Sequence, residues 1–152
     1  MKLKTRPYGE VEVHDKQKVH FTEGLIGFEG VREYYMIDSK EGPFYWLQAA
    51  DEPDIAFLLV DPRVFMDDYE FLVSESELLP LKLEKPEDRL DFAIVTVPDD
   101  PSMISANLMG PVVINRRTRV ARQVISQKDA YGVKHYILEE MKRESATLAE
   151  TC

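Results

Sequence analysis

Residues 44–62 constrain this chain more than any other stretch. Two apolar runs, Phe44–Ala50 and Ile55–Val60, flank the polar tetrapeptide Asp51-Glu52-Pro53-Asp54. Each run has strand length and is rich in aromatic or β-branched residues, and the tetrapeptide has turn chemistry, so the block reads as a β-hairpin. Its strands are apolar at nearly every position, which predicts cover on both faces of the sheet. A single uncharged polar residue, Gln48, sits inside the first strand. No nucleophile, metal ligand or phosphate loop accompanies the hairpin, which points to a scaffold and away from an enzyme.

A chain of 152 residues with 44% hydrophobic content fits one domain with a real core. The net charge of −9 opposes general affinity for nucleic acid or an anionic membrane. No run approaches the ~20 apolar residues of a membrane span, and the start Met1-Lys2-Leu3-Lys4 lacks the apolar stretch of a signal peptide. The one cysteine, Cys152, cannot form an internal disulfide and fits a reducing cytoplasm. Charge is segregated: residues 41–100 carry net −12 and residues 101–138 net +5.

Alternation in Tyr8–Val13 predicts a half-buried strand, and Val19–Phe21 and Arg32–Asp38 predict two more. Between them, Gly24, Gly27 and Gly30 predict an ordered loop with Leu25, Ile26 and Phe28 tucked inward. After the hairpin, Arg63–Asp68 reads as a helical turn and Tyr69–Val73 as a strand. Ser74 and Glu77 have the spacing of a capping box ahead of a short helix that Pro80 limits. Leu90–Val97 reads as a strong strand and Pro98–Ser102 as a rigid loop. Ser105–Met109 and Val112–Ile114 read as strands broken by Gly110-Pro111, and Thr118–Ser126 as the closing strand. The expected fold is mainly β, a small antiparallel β-barrel-like single domain over 1–138 with one or two short helices. Residues 139–152 are expected to form a helical or frayed tail.

Chemistry is sparse. His14, His20 and His135 lie in no nucleophile motif, and no HxxxH or CxxC spacing supports a metal, so no cofactor or metal is expected. Asp67-Asp68-Tyr69-Glu70 lacks the spacing and glycine of a calcium loop. The one basic cluster, Arg116, Arg117, Arg119 and Arg122, reads either as a contact for an acidic partner or as ion pairing with the chain's own acidic middle. On a strand, Arg117 and Arg119 would share a face. Tyr34, Tyr35, Tyr45 and Trp46 keep open an alternative, a carbohydrate-binding β module using aromatic platforms.

Four blocks carry a resemblance. They are Phe21-x-x-Gly24-Leu25-Ile26-Gly27-Phe28-Glu29; Phe44–Pro62 with Leu47-Gln48 and Ala56-Phe57; Asp68-Tyr69-Glu70-Phe71; and Asn107–Asn115 with Gln123-Val124. In this order, over roughly residues 8–131, the chain resembles the FliW family of bacterial flagellar assembly factors. It departs from the family pattern mildly, at Ile26, where proline is frequent, and at Met109-Gly110.

The resemblance implies a mostly β, barrel-like, non-enzymatic cytoplasmic protein that acts as a partner switch. Such proteins bind newly made flagellin as chaperones. They also bind CsrA, an RNA-binding translational repressor, and keep it from flagellin mRNA. Two sets of contacts follow as expectations. The carboxylates Asp67, Asp68, Glu70, Glu75 and Glu77 lie on or beside a CsrA-facing surface, where they would raise the cost of bringing in RNA. Leu25, Ile26, Phe28, Phe65 and Met66 form an apolar groove for the amphipathic terminal segments of flagellin. No direct nucleic-acid or membrane contact is expected.

Overall fold

The computed structural model describes residues 1–143 and is mainly β. Its strands are β1 (Lys2–Thr5), β2 (Gly9–Glu12), β3 (Lys18–Phe21), β4 (Glu33–Asp38), β5 (Phe44–Ala49), β6 (Ala56–Val60), β7 (Arg89–Thr96), β8 (Ser105–Asn115), β9 (Val120–Gln123) and β10 (His135–Tyr136). From β3 to β8 each strand pairs antiparallel with the next in sequence. β9 then pairs antiparallel with the end of β8 and parallel with β3, through His20↔Val120 and Phe21↔Ala121. That pairing closes a seven-stranded barrel, β3 to β9, and removes the free edges an open sheet would expose.

Period-2 alternation splits each strand between two environments. Val19, Phe21, Tyr34, Leu47, Leu59, Phe92 and Ile114 fill the interior. Phe21 meets Tyr34 edge-on at 5.1 Å, and Tyr45 meets Phe92 at 5.6 Å. Burial pushes the Tyr34 phenol up to about 12. The Gly24–Gly30 loop plugs one end of the barrel with Leu25. Gly24 is required there: its φ is +74°, and a Cβ would stand 2.7 Å from the Glu29 Cα.

The outward-facing side chains are also apolar, as the double-sided hairpin predicts, and segments from outside the barrel cover them. β1 and β2 form a two-stranded ribbon that lays Leu3 and Val13 over Tyr35. Phe65, Met66, Tyr69, Tyr131 and Ile137 cover Leu58, Val60, Ala93 and Val95. The short helix α1 (Glu75–Leu78) and the 3₁₀ turn Leu79–Leu81 put Leu78 and Leu81 on Val113 and Val124.

Buried polar side chains tie the covers down. Gln48 is fully buried on the outer side of β5; its Oε1 accepts from the Arg6 N–H at 2.9 Å. Its Nε2 faces the carbonyls of Pro53 and Ile55 at 3.2 and 3.1 Å, so one amide joins the β1–β2 turn to the hairpin turn. Asn115 does the same for α1: its Nδ2 donates to the Leu81 carbonyl at 2.9 Å and its Oδ1 accepts from the Arg117 and Thr118 N–H groups. Asp91, buried on β7, accepts from Arg63 at 3.0 Å and Arg89 at 2.9 Å. Those guanidiniums lie over the rings of Tyr69 and Phe71.

Several expectations change. Tyr69–Val73 is no strand: Tyr69 and Phe71 point inward and Glu70 outward, so the alternation is real, but the segment packs on the barrel without a ladder partner. Residues 105–115 form one strand, with a bulge where Phe92 pairs with Val112 and Ile94 with Asn107. Gly110 fits this bulge because a Cβ would meet Gln123 Nε2 at 2.9 Å. Residues 116–119 are the β8–β9 turn, with Arg119 at φ +65°, and the strand is confined to Val120–Gln123. The capping box does not form: the Ser74 side chain makes no cap bond, and Glu77 accepts from the Ile125 N–H. β1 and β10 were not expected from the sequence pattern. A helix starts at Ile137 and runs to 143; the rest of the expected tail lies outside the described residues.

Replacing Gln48 with Leu strips the Arg6 N–H of its buried acceptor, and the expected loss is about 2 kcal/mol in urea unfolding. Asp91→Asn leaves the half-buried Arg89 guanidinium without its anion and Arg63 with Asp61 alone, and about 2 kcal/mol should be lost. Limited proteolysis of that variant should cut first within 63–72.

Candidate functional site

The acidic segment is built on the Asp61-Pro62 corner. Asp61 accepts from the Arg63 N–H at 3.0 Å and starts the 3₁₀ turn Pro62–Val64. The turn drives Phe65 and Met66 into the outer core, which leaves Asp67 and Asp68 on the surface. Tyr69 goes back inward, stacked on Tyr131 at 5.4 Å with the rings 6° from parallel, and its phenol is pushed up to about 12 by burial. Glu70 returns to the surface, where its carboxylate meets Lys128 Nζ at 2.8 Å and holds that ammonium above its usual range. The Glu70 N–H donates to the Tyr131 hydroxyl at 2.9 Å, and Leu72 O accepts from the Gln127 N–H at 2.7 Å. The segment is thus held along residues 125–131 by single bonds and by inward aromatic rings.

The five expected carboxylates therefore fall along one covering segment but in different situations. Asp67, Asp68, Glu70 and Glu75 are exposed, and Glu77 is half-buried with its oxygens on the Ile125 N–H. Asp68 and Glu70 border a cavity of about 160 Å³ with Lys128, Tyr131, His135 and Glu140. There His135 Nε2 accepts from the Gly132 N–H at 2.8 Å while Nδ1 faces Glu140 at 3.6 Å.

The apolar set divides. Leu25, Phe65 and Met66 are 1%, 0% and 3% exposed and belong to the packing of the barrel and its cover, so in this conformation they line no open groove. Ile26 and Phe28, expected to tuck inward, are 62% and 40% exposed. Their backbone is nevertheless fixed. The Ile26 N–H donates to Gln123 Oε1 at 2.9 Å, Gln123 Nε2 donates to Gly110 O at 3.0 Å, and Phe28 packs edge-on against Phe57 at 5.1 Å. Asp91 escaped the sequence reading, where a lone carboxylate inside the apolar run Leu90–Val97 is the signal that carries it; Gln123 enters that reading only within a resemblance block, with no role attached.

Two members of the basic cluster meet the chain's own acids. Arg117 faces Glu84 at 3.4 Å and Asp88 at 3.9 Å, and Arg122 reaches Glu23 at 3.4 Å and the Glu77 carbonyl at 2.6 Å. His20 is paired with Glu33 on the surface. Among the described residues no group of three or more His, Cys, Asp or Glu is placed to hold a metal, and no helix is long and apolar enough to cross a membrane. Tyr34 and Tyr35 are buried and Tyr45 packs against the interior, so they offer no flat aromatic platform for a sugar.

Comparison with known proteins agrees with this architecture. A family model described as FliW protein matches residues 2–137. The flagellar assembly factor FliW of Ruminiclostridium cellulolyticum is 40% identical over 146 residues, 95% of this chain and 99% of the relative. The flagellar assembly factor FliW of Treponema denticola is 39% identical over 141 residues, 93% of this chain and 96% of the relative. A crystal structure of the flagellar assembly factor FliW superposes with a TM-score of 0.83 at 31% identity, covering 90% of this chain and 96% of that one. With matches that run from the first strand to the last, this chain belongs to the FliW family of flagellar assembly factors.

Proposed function

We propose that this chain is a cytoplasmic partner switch that binds flagellin as a chaperone and binds the translational repressor CsrA, relieving repression of flagellin mRNA. The observation that most supports the CsrA arm is the covering segment 67–77. It presents exposed carboxylates at Asp67, Asp68, Glu70 and Glu75 while its aromatic side chains anchor it to the barrel. A repressor that holds RNA must do so with cations. An acidic face docked beside those cations attracts them and repels a second polyanion at close range. The chain itself has no need of RNA contact in this scheme, in keeping with its net charge of −9.

The flagellin arm is supported by the Gly24–Gly30 loop. Ile26 and Phe28 stand exposed on a loop that Gln123 and Phe57 hold in place, so an apolar contact is presented without first being ordered. Leu25, Phe65 and Met66 contribute by supporting these surfaces from below.

Gel filtration of the protein with CsrA, with and without flagellin, tests the switch: flagellin should release CsrA from the complex. Reversing Asp67, Asp68 and Glu75 to Lys keeps the Glu70–Lys128 pair and the Glu77 bonds to the Ile125 N–H in place. This triple variant should weaken CsrA binding tenfold or more and leave CsrA on its RNA, while its far-UV circular dichroism at 25 °C stays that of the parent. Unchanged CsrA affinity in that variant would remove the acidic face from the interface.

A further inference from the structure

Two arginines of the basic cluster have partners and two do not. Arg117 is taken by Glu84 and Asp88, and Arg122 by Glu23 and the Glu77 carbonyl. Among the described residues, nothing meets the guanidinium of Arg116 or of Arg119. On the neighbouring β3 side, the Glu33 carboxylate is already shared between Lys18 and His20. Arg116 is exposed, but Arg119 is half-buried, and its Nε is sealed from solvent without a hydrogen-bond partner. Burial lowers the Arg119 pKa, with no carboxylate among the causes. Its two Nη nitrogens are neither sealed nor bonded, so the end of the fork is open to solvent. A half-buried cation without an anion costs stability. Its backbone is costly as well: φ is +65°, in the left-handed region that a side chain like this one rarely adopts. The turn is nevertheless held at every residue. The Arg116 N–H donates to the Asp88 carbonyl at 2.7 Å, and those of Arg117 and Thr118 donate to Asn115 Oδ1 at 2.9 and 3.2 Å. The Arg119 N–H donates to the Asn115 carbonyl at 2.7 Å, and its own carbonyl accepts from the His20 N–H at 3.0 Å.

We propose that the β8–β9 turn is a binding site for a doubly charged oxyanion, a phosphate or a phosphate monoester, held end-on by the Arg119 fork with Arg116 supplying the second positive charge. Three features select this ligand. First, two uncompensated guanidiniums on one turn match two negative charges, and a single carboxylate would leave one of them unmatched. Second, the two Nη donors of Arg119 lie in one plane and can meet two oxygens of the anion at once. Third, every N–H from 116 to 119 is already bonded, so the turn has no donor left for a peptide backbone. The net charge of −9 opposes a polyanion such as nucleic acid at the same place and leaves a small ion as the ligand. The Arg119 carbonyl holds β3 where the parallel β3–β9 pairing closes the barrel, so a bound anion steadies that seam.

The test titrates the full chain, isotope-labelled and in chloride buffer, with inorganic phosphate, methyl phosphate and acetate while NMR follows the arginine Nε–Hε signals. The sealed Arg119 Nε–Hε is sheltered from exchange, and its signal is assigned by its loss in Arg119→Asn. Inorganic phosphate should shift that signal to saturation at millimolar concentration, and acetate at equal ionic strength should not. A matching response to methyl phosphate extends the site to phosphate monoesters; saturation by inorganic phosphate alone supports the free ion as the ligand. Arg116→Ala should weaken phosphate several-fold. Asparagine tolerates the left-handed region, so Arg119→Asn should fold and serve as the control in thermal unfolding. Phosphate should raise the midpoint of the parent further than that of the variant, since the general effect of the salt is common to both. An Arg119 signal that follows ionic strength alone, acetate that saturates as tightly as phosphate, or an equal rise in the two midpoints overturns the proposal.

Discussion

Closing seven strands through the parallel β3–β9 pairing leaves a small barrel whose outside is nearly as apolar as its inside, and the rest of the molecule follows from covering that outside. In a half-buried antiparallel sheet the outer positions would be polar. Here Trp46, Leu58, Val60, Ala93, Val95 and Val113 face outward, and water cannot be left on all of them. The β1–β2 ribbon, the segment 61–81 and the segment 125–137 are the answer, and each is fixed to the barrel at few points: Gln48, Asp91, Asn115, and the Tyr69–Tyr131 stack. The strands beneath have committed their side chains to packing, so the covers and the Gly24–Gly30 loop carry most of the side chains open to the surroundings.

This division explains why the chain's charge is segregated. The segment 61–81 must bury Phe65, Met66, Tyr69 and Phe71 while remaining soluble, and its outward positions are where Asp67, Asp68, Glu70 and Glu75 fall. Of the basic counterpart, Arg122 and Lys128 hold that segment through the Glu77 carbonyl and the Glu70 carboxylate, while Arg117 pairs with Glu84 just beyond it. What remains on the surface of that segment is a negative face, whose field is strongest at low ionic strength.

Much of this was legible before any coordinates. The hairpin 44–62, its two-sided burial, the strands β3, β4 and β7 and the barrel architecture follow from apolar periodicity and turn residues, which act locally. The misreadings share a cause. Tyr69–Val73 and Glu77 have the pattern of a strand and a cap, but tertiary partners (the outer barrel and the Ile125 N–H) take those roles over. Leu25, Phe65 and Met66 look the same in sequence whether they line a groove or fill a core. Only the three-dimensional cover distinguishes them from Ile26 and Phe28. Gln48 was visible as an oddity, yet its purpose depends on Arg6, 42 residues away.

That partners read the covers while the barrel stays inert is tested most directly by amide hydrogen exchange on the protein alone and bound to CsrA or flagellin. With CsrA, added protection should concentrate in 66–78. With flagellin it should fall on 25–29. In both cases β3, β4, β8 and β9 should exchange as they do in the free protein. Protection spread through those barrel strands, with none in the covering segments, would contradict it.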